Sequence, residues 1–504
     1  MNQEWNHVEF KFGNDHAAAY DLAVVDFGSR QSLNDLLKNH PHAKNALADE
    51  FKKLKKDDEA NEESATPKVI KIPYEGKGGL HAVIVSGNPS AYLIQNAIRS
   101  AFGEIFTNAD EARAVNVSLK GLKDARAKEV LGWVSSLATL TRFQAAVFGQ
   151  REKEVKKAAL LTVNVQTNFP KAQAEAAIEE GRILGFCNNQ VRYLADLPSN
   201  ILNPRTYRDR AEKIAKELKV DFEFLDVKKL QKKGAGAFLA VVAADHNERG
   251  GIVHLHYTGK KSKKKVAIVG KGICFDTGGY NVKVGEYMYN MHRDMTGSAV
   301  ALSLFRALVE MEAPYEVHAY LALAENLISH EGYRPNDVVT ASNGLSIEVI
   351  DTDAEGRMVL SDTLAIASEE KPDFILDFAT LTGSVVRAID TRRCGAYSNE
   401  PRVGRLAVEV GDRCGERVWN FPIGDDYFES LKSETADIRQ CSSSGSADHI
   451  YAATFLSKFV GKKIPWVHVD LAADTNKGGL GLVATETTGF GVRFGLTLIR
   501  EMLK

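Results

Sequence analysis

Between residues 265 and 472 short apolar runs alternate with segments of helical spacing. "KVAIVG" (265–270), "YEVHAYLAL" (315–323), "LSIEVI" (345–350), "DFILDFA" (373–379) and "WVHVDLA" (466–472) have strand character, and "GSAVALSLFRALVEM" (297–311) has the helical period. Strand and helix in alternation predict a mostly parallel sheet covered on both faces. At 504 residues the chain is too long for one ordinary core, so two domains are expected. The first third also reads as α/β. "YDLAVVDFG" (20–28) and "LHAVIVSG" (80–87) are short apolar runs ending in glycine, and "SAYLIQNAIRSAFGEIF" (90–106) has helical spacing. The charged stretch 52–68 is expected to be an exposed loop. Apolar residues from Ala174 to Leu194 recur at a helical period, and the prolines of "DLPSNILNP" (196–204) end the run. The expected division is a smaller N-terminal α/β domain over 1–170, a linking helix over 171–196 and a larger α/β domain over 197–504.

Composition narrows the class. A 44% hydrophobic, 26% charged chain with net charge -2 is an ordinary globular protein, with no global attraction to nucleic acid or membrane. Its five cysteines are scattered, with no CxxC pair, which suits a reducing compartment and argues against a thiolate zinc site. No basic, then apolar, N-terminal leader is visible, and nothing approaches 18 continuous apolar residues. A cytoplasmic location is expected, without a membrane partner.

In parallel sheets ligands gather at the carboxyl ends of strands, and here those ends carry unusual chemistry. "KVAIVG" runs into Lys271, Asp276 and Lys283; "DFILDFA" runs into the small polar turn "TLTGS" (380–384); Asp294 precedes a helix start. "LSIEVI" runs into Asp351, Asp353, Glu355 and Arg357. Convergence of these ends would put Asp276, Asp294, Asp353 and Glu355 in one pocket with Lys271, Lys283 and Arg357. Four carboxylates cannot stay ionised together without compensation. Two divalent cations supply it, and oxygen-rich ligation suits Mg, Mn, Zn or Co. Such a pair polarises a carbonyl or phosphoryl group and generates hydroxide near neutral pH. The residues alone therefore reach a two-metal hydrolase and leave amide and phosphate ester open. Taken singly, each piece has a plainer reading. Asp353 and Glu355 suit a solvated turn, Asp276 before Gly278 and Gly279 suits turn chemistry, and Lys271 suits a surface site. The lysines of "GKKSKKK" (259–265) read as a solvated turn rather than a nucleic-acid patch. His292 and His330 lack HExxH spacing and read as ordinary histidines.

Together the pieces resemble the cytosolic leucyl aminopeptidases, a family of di-metal exopeptidases. The family signature NTDAEGR(L/M) is matched by "DTDAEGRM" (351–358), VGKGxxFDSGGxxxK by "VGKGICFDTGGYNVK" (269–283), and MxxDMxG by "MHRDMTG" (291–297). "VRYLADLPSNILNP" (191–204), "FATLTGS" (378–384), "KSETAD" (432–437) and "TTGFGVR" (487–493) follow in the family's order. The resemblance covers about 190–504 and is weak in the N-terminal third. It implies that Asp276 and Glu355 bridge two metals, Mn or Zn with Mg or Co as alternatives. Asp353 would complete one site, and Lys271 (as a neutral amine) with Asp294 the other. It further implies that Lys283 stabilises a tetrahedral oxyanion and that Arg357 holds a bicarbonate serving as general base.

The implied activity is removal of the N-terminal residue from peptide substrates by a homohexamer. Met291, Thr380, Leu381, Gly383 and Thr487 would contact the substrate. Asp351 stands where the family usually has Asn, which changes local charge. Thr487 stands where the resemblance has Ala; in the pocket it would disfavour leucine, unless it turns away to bond backbone. The rival readings are a two-metal phosphoesterase and a DNA-binding member of the family, with nucleic acid not an expected partner.

Overall fold

The computed structural model describes residues 66–74, 78–106, 111, 113–245, 250–260, 263–443 and 446–504, with shorter stretches before residue 66. The expected loop over 52–68 lies mostly outside the described residues. The chain forms two compact units: residues 1–189 with 478–486, and residues 190–477 with 487–504. The division falls inside the helix Lys171–Ala195. A segment from near the C-terminus belongs with the first unit, and Leu482 and Val483 are buried in its core.

The first unit is built on six strands, in the order Val8–Phe12, Leu161–Gln166, Arg113–Gly121, Tyr20–Asp26, Gly79–Val85 and Lys68–Pro73. All neighbours are parallel except the Lys68–Pro73 edge. Gly79–Val85 is buried along its whole length, as expected of a central strand covered on both faces. Two helices pack tightly because their contact is made of small residues. A Cβ on Gly181 would lie 2.3 Å from the Gly132 carbonyl oxygen, and the Ser135 and Ser136 hydroxyls donate to the carbonyls of Ile178 and Gly181.

The second unit contains an eight-stranded sheet, in the order Val418–Asn420, Cys394–Ser398, Trp466–Asp470, Phe374–Ala379, Lys265–Asp276, Glu316–Asn326, Gly251–Thr258 and Asp221–Leu225. Its four central strands are mutually parallel, and antiparallel pairings appear toward both flanks. The apolar Thr296–Glu310 and Glu355–Glu369 helices cover the centre. Close packing requires glycine at Gly297, where a Cβ would meet the Phe378 carbonyl oxygen at 2.2 Å. "LSIEVI" does form a strand, Ser346–Glu348, but in a separate three-stranded sheet with Val338–Thr340 and Ile438–Arg439. The prolines after the long helix play two parts. Pro198 lies in the turn, while Pro204 opens the next helix behind an Asn203–Thr206 capping box. All five cysteines are buried thiols outside any disulfide. Among the described residues no helix is long and apolar enough to cross a membrane.

Candidate active site

Two neighbouring parallel strands end at the site. The Lys265–Asp276 strand supplies Lys271 and Asp276, and the Glu316–Asn326 strand supplies Asn326. Beyond Asp276 the chain reverses through Gly278 and Gly279, at φ 84° and 64°. A side chain at Gly278 would collide with the Asn281 carbonyl oxygen at 2.3 Å and approach Asp353 Oδ1 at 3.1 Å. That reversal returns Lys283 to the cluster. Its Nζ lies 2.9 Å from Asp276 Oδ2 and 2.6 Å from Asp353 Oδ1.

Asp351 caps the short turn Thr352–Ala354, its Oδ1 accepting from the Asp353 amide at 2.8 Å. The helix Glu355–Glu369 follows, so Asp353 and Glu355 fall at its N-terminal end, where anionic side chains are favoured. Lys271 Nζ lies 2.9 Å from both Glu355 Oε1 and Asp294 Oδ2, and donates to the Thr380 carbonyl at 2.9 Å. Gly356 makes room for it, since a Cβ there would meet Lys271 Nζ at 2.7 Å.

The structure therefore brings together Lys271, Asp276, Lys283, Asp294, Asp353 and Glu355. Ligand atoms of Asp276, Asp353 and Glu355 lie within 4.8 Å of one another, as one cation would need. Asp294 Oδ2 and Asp353 Oδ1 are buried and accept no aligned hydrogen bond, although each faces an ammonium. Burial and then mutual repulsion push Asp353 up to about 7, and the same causes raise Glu355. Asp294 is raised by burial, despite the opposing pull of Lys271. Two lysines against four carboxylates leave an excess negative charge, and divalent cations would remove it. The donor set fits such ions. At Lys271 burial favours the amine, but Asp294 and Glu355 outweigh it and hold the ammonium. Ligation through Lys271 thus requires divalent charge to displace its proton.

Arg357 is 2% exposed and lies on the same helix. It pairs with Asp448 at 2.7 Å and donates to the Gln440 carbonyl, while its buried Nε has no hydrogen-bond partner. Burial works against its charge, but Asp448 outweighs this and raises its pKa.

The loop 380–383 is fixed by Asp470, which accepts from the Leu381 amide at 2.9 Å and the Thr382 hydroxyl at 2.7 Å. The Thr380 hydroxyl donates to Asp294 Oδ1, and Gly383 opens the next short helix. Met291 begins the 3₁₀ turn that leads to Asp294. Thr487 is buried, and its hydroxyl donates to Asp196 Oδ1 at 2.7 Å. Arg293 also reaches that carboxylate, at 3.1 Å. The hydroxyl therefore has a side-chain partner in Asp196.

Asn326, Asp448 and Asp470 were absent from the sequence reading. Asn326 Nδ2 donates to Asp276 Oδ1 at 2.8 Å and reaches Glu355 Oε2 at 3.5 Å, orienting both carboxylates. Its place at the end of "YEVHAYLALAEN" was the available signal. Of the stretch 259–265, residues 261–262 lie outside the described residues and Lys265 opens a strand rather than lying in a turn. His330 is largely exposed beside Glu331, and Lys260, Lys264 and Lys265 each face a carboxylate.

Known proteins resemble this chain over most of its length. Residues 189–496 match the catalytic domain of the cytosol aminopeptidase family. A probable cytosol aminopeptidase of Persephonella marina is 34% identical over 437 residues, 84% of this chain and 86% of its own. The chloroplastic leucine aminopeptidase A1 of Solanum lycopersicum is 34% identical over 413 residues, 79% of this chain and 69% of its own. A solved structure of a tomato leucine aminopeptidase mutant superposes with TM-score 0.80 at 27% identity, covering 98% of this chain and 96% of that one. With its catalytic unit matched and its strand ends carrying the acidic cluster, this chain belongs to the cytosol aminopeptidase family.

Proposed function

We propose that the chain is a metal-dependent aminopeptidase that releases the N-terminal residue of peptides, using Lys271, Asp276, Asp294, Asp353 and Glu355 to hold two divalent cations. The observation that carries this reading is the buried convergence of those residues, with more carboxylates than the local lysines neutralise. Mn or Zn is the expected occupant, with Mg or Co compatible with the same donors. When bound, the cations polarise the scissile carbonyl and acidify water.

The chain's own residues supply the rest. Lys283, less buried than Lys271, has Asp276 and Asp353 as anchors and donates to the oxyanion that forms on the carbonyl. Arg357 holds a bicarbonate as proton acceptor, a role supported by its buried, unpartnered Nε. Asp448 already offsets part of that guanidinium's charge, so the anion would be held by oriented donors more than by net charge. Asp470 and Lys271 fix the 380–383 loop, and Thr380, Leu381 and Gly383 with Met291 and Thr487 form the substrate contacts. A homohexamer in the cytoplasm completes the reading; the five cysteine thiols suit that compartment.

The test is hydrolysis of a panel of aminoacyl-coumarins with Mn²⁺ or Zn²⁺, beside nitrophenyl phosphate. Chelator-sensitive release from aminoacyl substrates is expected. Turnover of the phosphate ester alone would overturn the assignment.

A further inference from the structure

At the opposite end of the sheet lies a second group of metal-ligand side chains that the peptidase chemistry does not use. The Gly251–Thr258 and Glu316–Asn326 strands pair antiparallel, with His256 opposite His318 and His254 opposite Tyr320. Asp221, on the edge strand, is opposite His256. Residues two apart on a strand share a face, so His254, His256, Glu316, His318 and Tyr320 gather on one surface. Ring contacts confirm it: His256 and His318 stack at 4.6 Å, and His254 and Tyr320 at 4.4 Å. Glu316 begins the strand that ends at Asn326 beside Glu355. Ten residues of strand, about 33 Å, separate this cluster from the active site.

The polar contacts are those of ligands already oriented. His318 Nε2 lies 2.9 Å from Glu316 Oε1, and His256 Nε2 lies 3.6 Å from the same oxygen. Ligand atoms of His256, Glu316 and His318 fall within 4.8 Å of one another. Each histidine is held through its other ring nitrogen. His256 Nδ1 faces Asp221 Oδ2 at 3.1 Å, and His318 Nδ1 faces His254 Nε2 at 2.9 Å. A carboxylate behind a ligating imidazole fixes its tautomer and raises its basicity. A hydrogen bond donated by His318 Nδ1 to His254 Nε2 leaves His318 Nε2 as the nitrogen that can ligate.

Two groups face these ligand atoms. The Lys265 ammonium sits 2.9 Å from Glu316 Oε1, and the Thr258 hydroxyl 3.3 Å from His256 Nε2. Lys265 has an alternative partner in Glu370 at 3.5 Å, so releasing Glu316 leaves it paired. Glu316 and His256 are each about 30% exposed, which gives an ion access from solvent.

We propose that His256, His318 and Glu316 form a second metal site for a borderline transition ion such as Zn²⁺, oriented by Asp221 and His254. Two imidazoles and one carboxylate suit zinc, with a further position open to water. The ion ties two strands of the antiparallel flank and acts on stability rather than on peptide hydrolysis.

The full chain, stripped by chelator and dialysed against buffered Zn²⁺, is counted for zinc per chain. His256→Gln and His318→Gln should each hold one zinc fewer than wild type while keeping wild-type aminopeptidase activity. Asp221→Asn should keep the count but weaken that zinc about tenfold or more. Equal counts in wild type and His256→Gln overturn the site. Cobalt titration of Glu355→Ala, with the cluster intact, covers a misfolded cluster variant. An added imidazole-ligated cobalt band is expected, and its absence also overturns the site. Since zinc is counted as a difference and cobalt is read without the active centre, failure here is distinct from failure of the peptidase reading.

Discussion

At the scale of single residues, the carboxylates differ in what their loss would do. Asp276 and Glu355 lie at the centre of the cluster, each bonded by Asn326 and each facing a lysine. Asp276→Ala or Glu355→Ala should lower activity by more than about 100-fold and reduce bound metal, measured by turnover and metal analysis on the same sample. Two retained metals with normal turnover would sink the ligand assignment. Asp351 is a milder case. Its Oδ1 caps the Asp353 amide, which an amide oxygen does equally well. Asp351→Asn should therefore change kcat/KM by less than about threefold, because only a nearby charge is lost. Thr487 invites a sharper expectation than its sequence position did. With its hydroxyl committed to Asp196, Thr487→Ala should cost about 1 kcal/mol of stability. The leucine-to-alanine preference in kcat/KM should move less than threefold, about 0.65 kcal/mol. A tenfold gain for leucine would restore the idea that this residue narrows the pocket.

At the scale of elements, the rule that parallel strands deliver ligands at their carboxyl ends explains most of what was legible. It found Lys271 and Asp276 on one strand, although that strand runs on to Asp276 rather than ending at 270, and the 380–383 turn beyond another, because buried central strands are written as long apolar runs. It misplaced "LSIEVI", whose three paired residues join a small separate sheet; a short apolar run does not reveal which sheet it enters. Nor could local pattern show that 478–486 belongs with the first unit, since that contact is wholly non-local. Asn326 and Asp470 escaped for a related reason. They orient other side chains, and an amide or acid at a strand end has no spacing signature of its own. Gly356 was quoted in "DAEGRM" without a role, yet it decides how the helix passes Lys271. A methyl group there would sit 2.6 Å from Lys271 Cε. Gly356→Ala should displace that lysine while the helix, which tolerates alanine well, stays folded. A misplacement near 1 Å costs about 100-fold in rate, so activity should fall by that order with the circular dichroism spectrum unchanged. Full activity in the alanine variant would show that Lys271 can move without consequence.

At the scale of the whole molecule, the family resemblance implies six 55.3 kDa subunits, and light scattering at micromolar concentration should report that assembly. A monomeric mass would refute it. Stability against acid is a second whole-chain property, and the sheet face bearing His254 makes it predictable in sign. His254 stacks on Tyr320 and faces His318, His256, Glu223 and Glu370. Burial first, and then the neighbouring imidazole of His318, depress it from 6.5 to about 4. In the unfolded chain the same group titrates near its ordinary value of about 6.5. Between those two values the unfolded state binds a proton that the folded state refuses, so folding weakens as pH falls. The contribution is complete above about pH 6.5 and lost progressively down to about pH 4, at most about 3 kcal/mol. Replacing His254 by phenylalanine keeps a ring against Tyr320 and removes the titration. Melting temperatures taken from pH 7 to pH 4.5 should therefore fall more steeply for wild type than for His254→Phe. Parallel curves for the two proteins would mean that other groups carry the acid sensitivity.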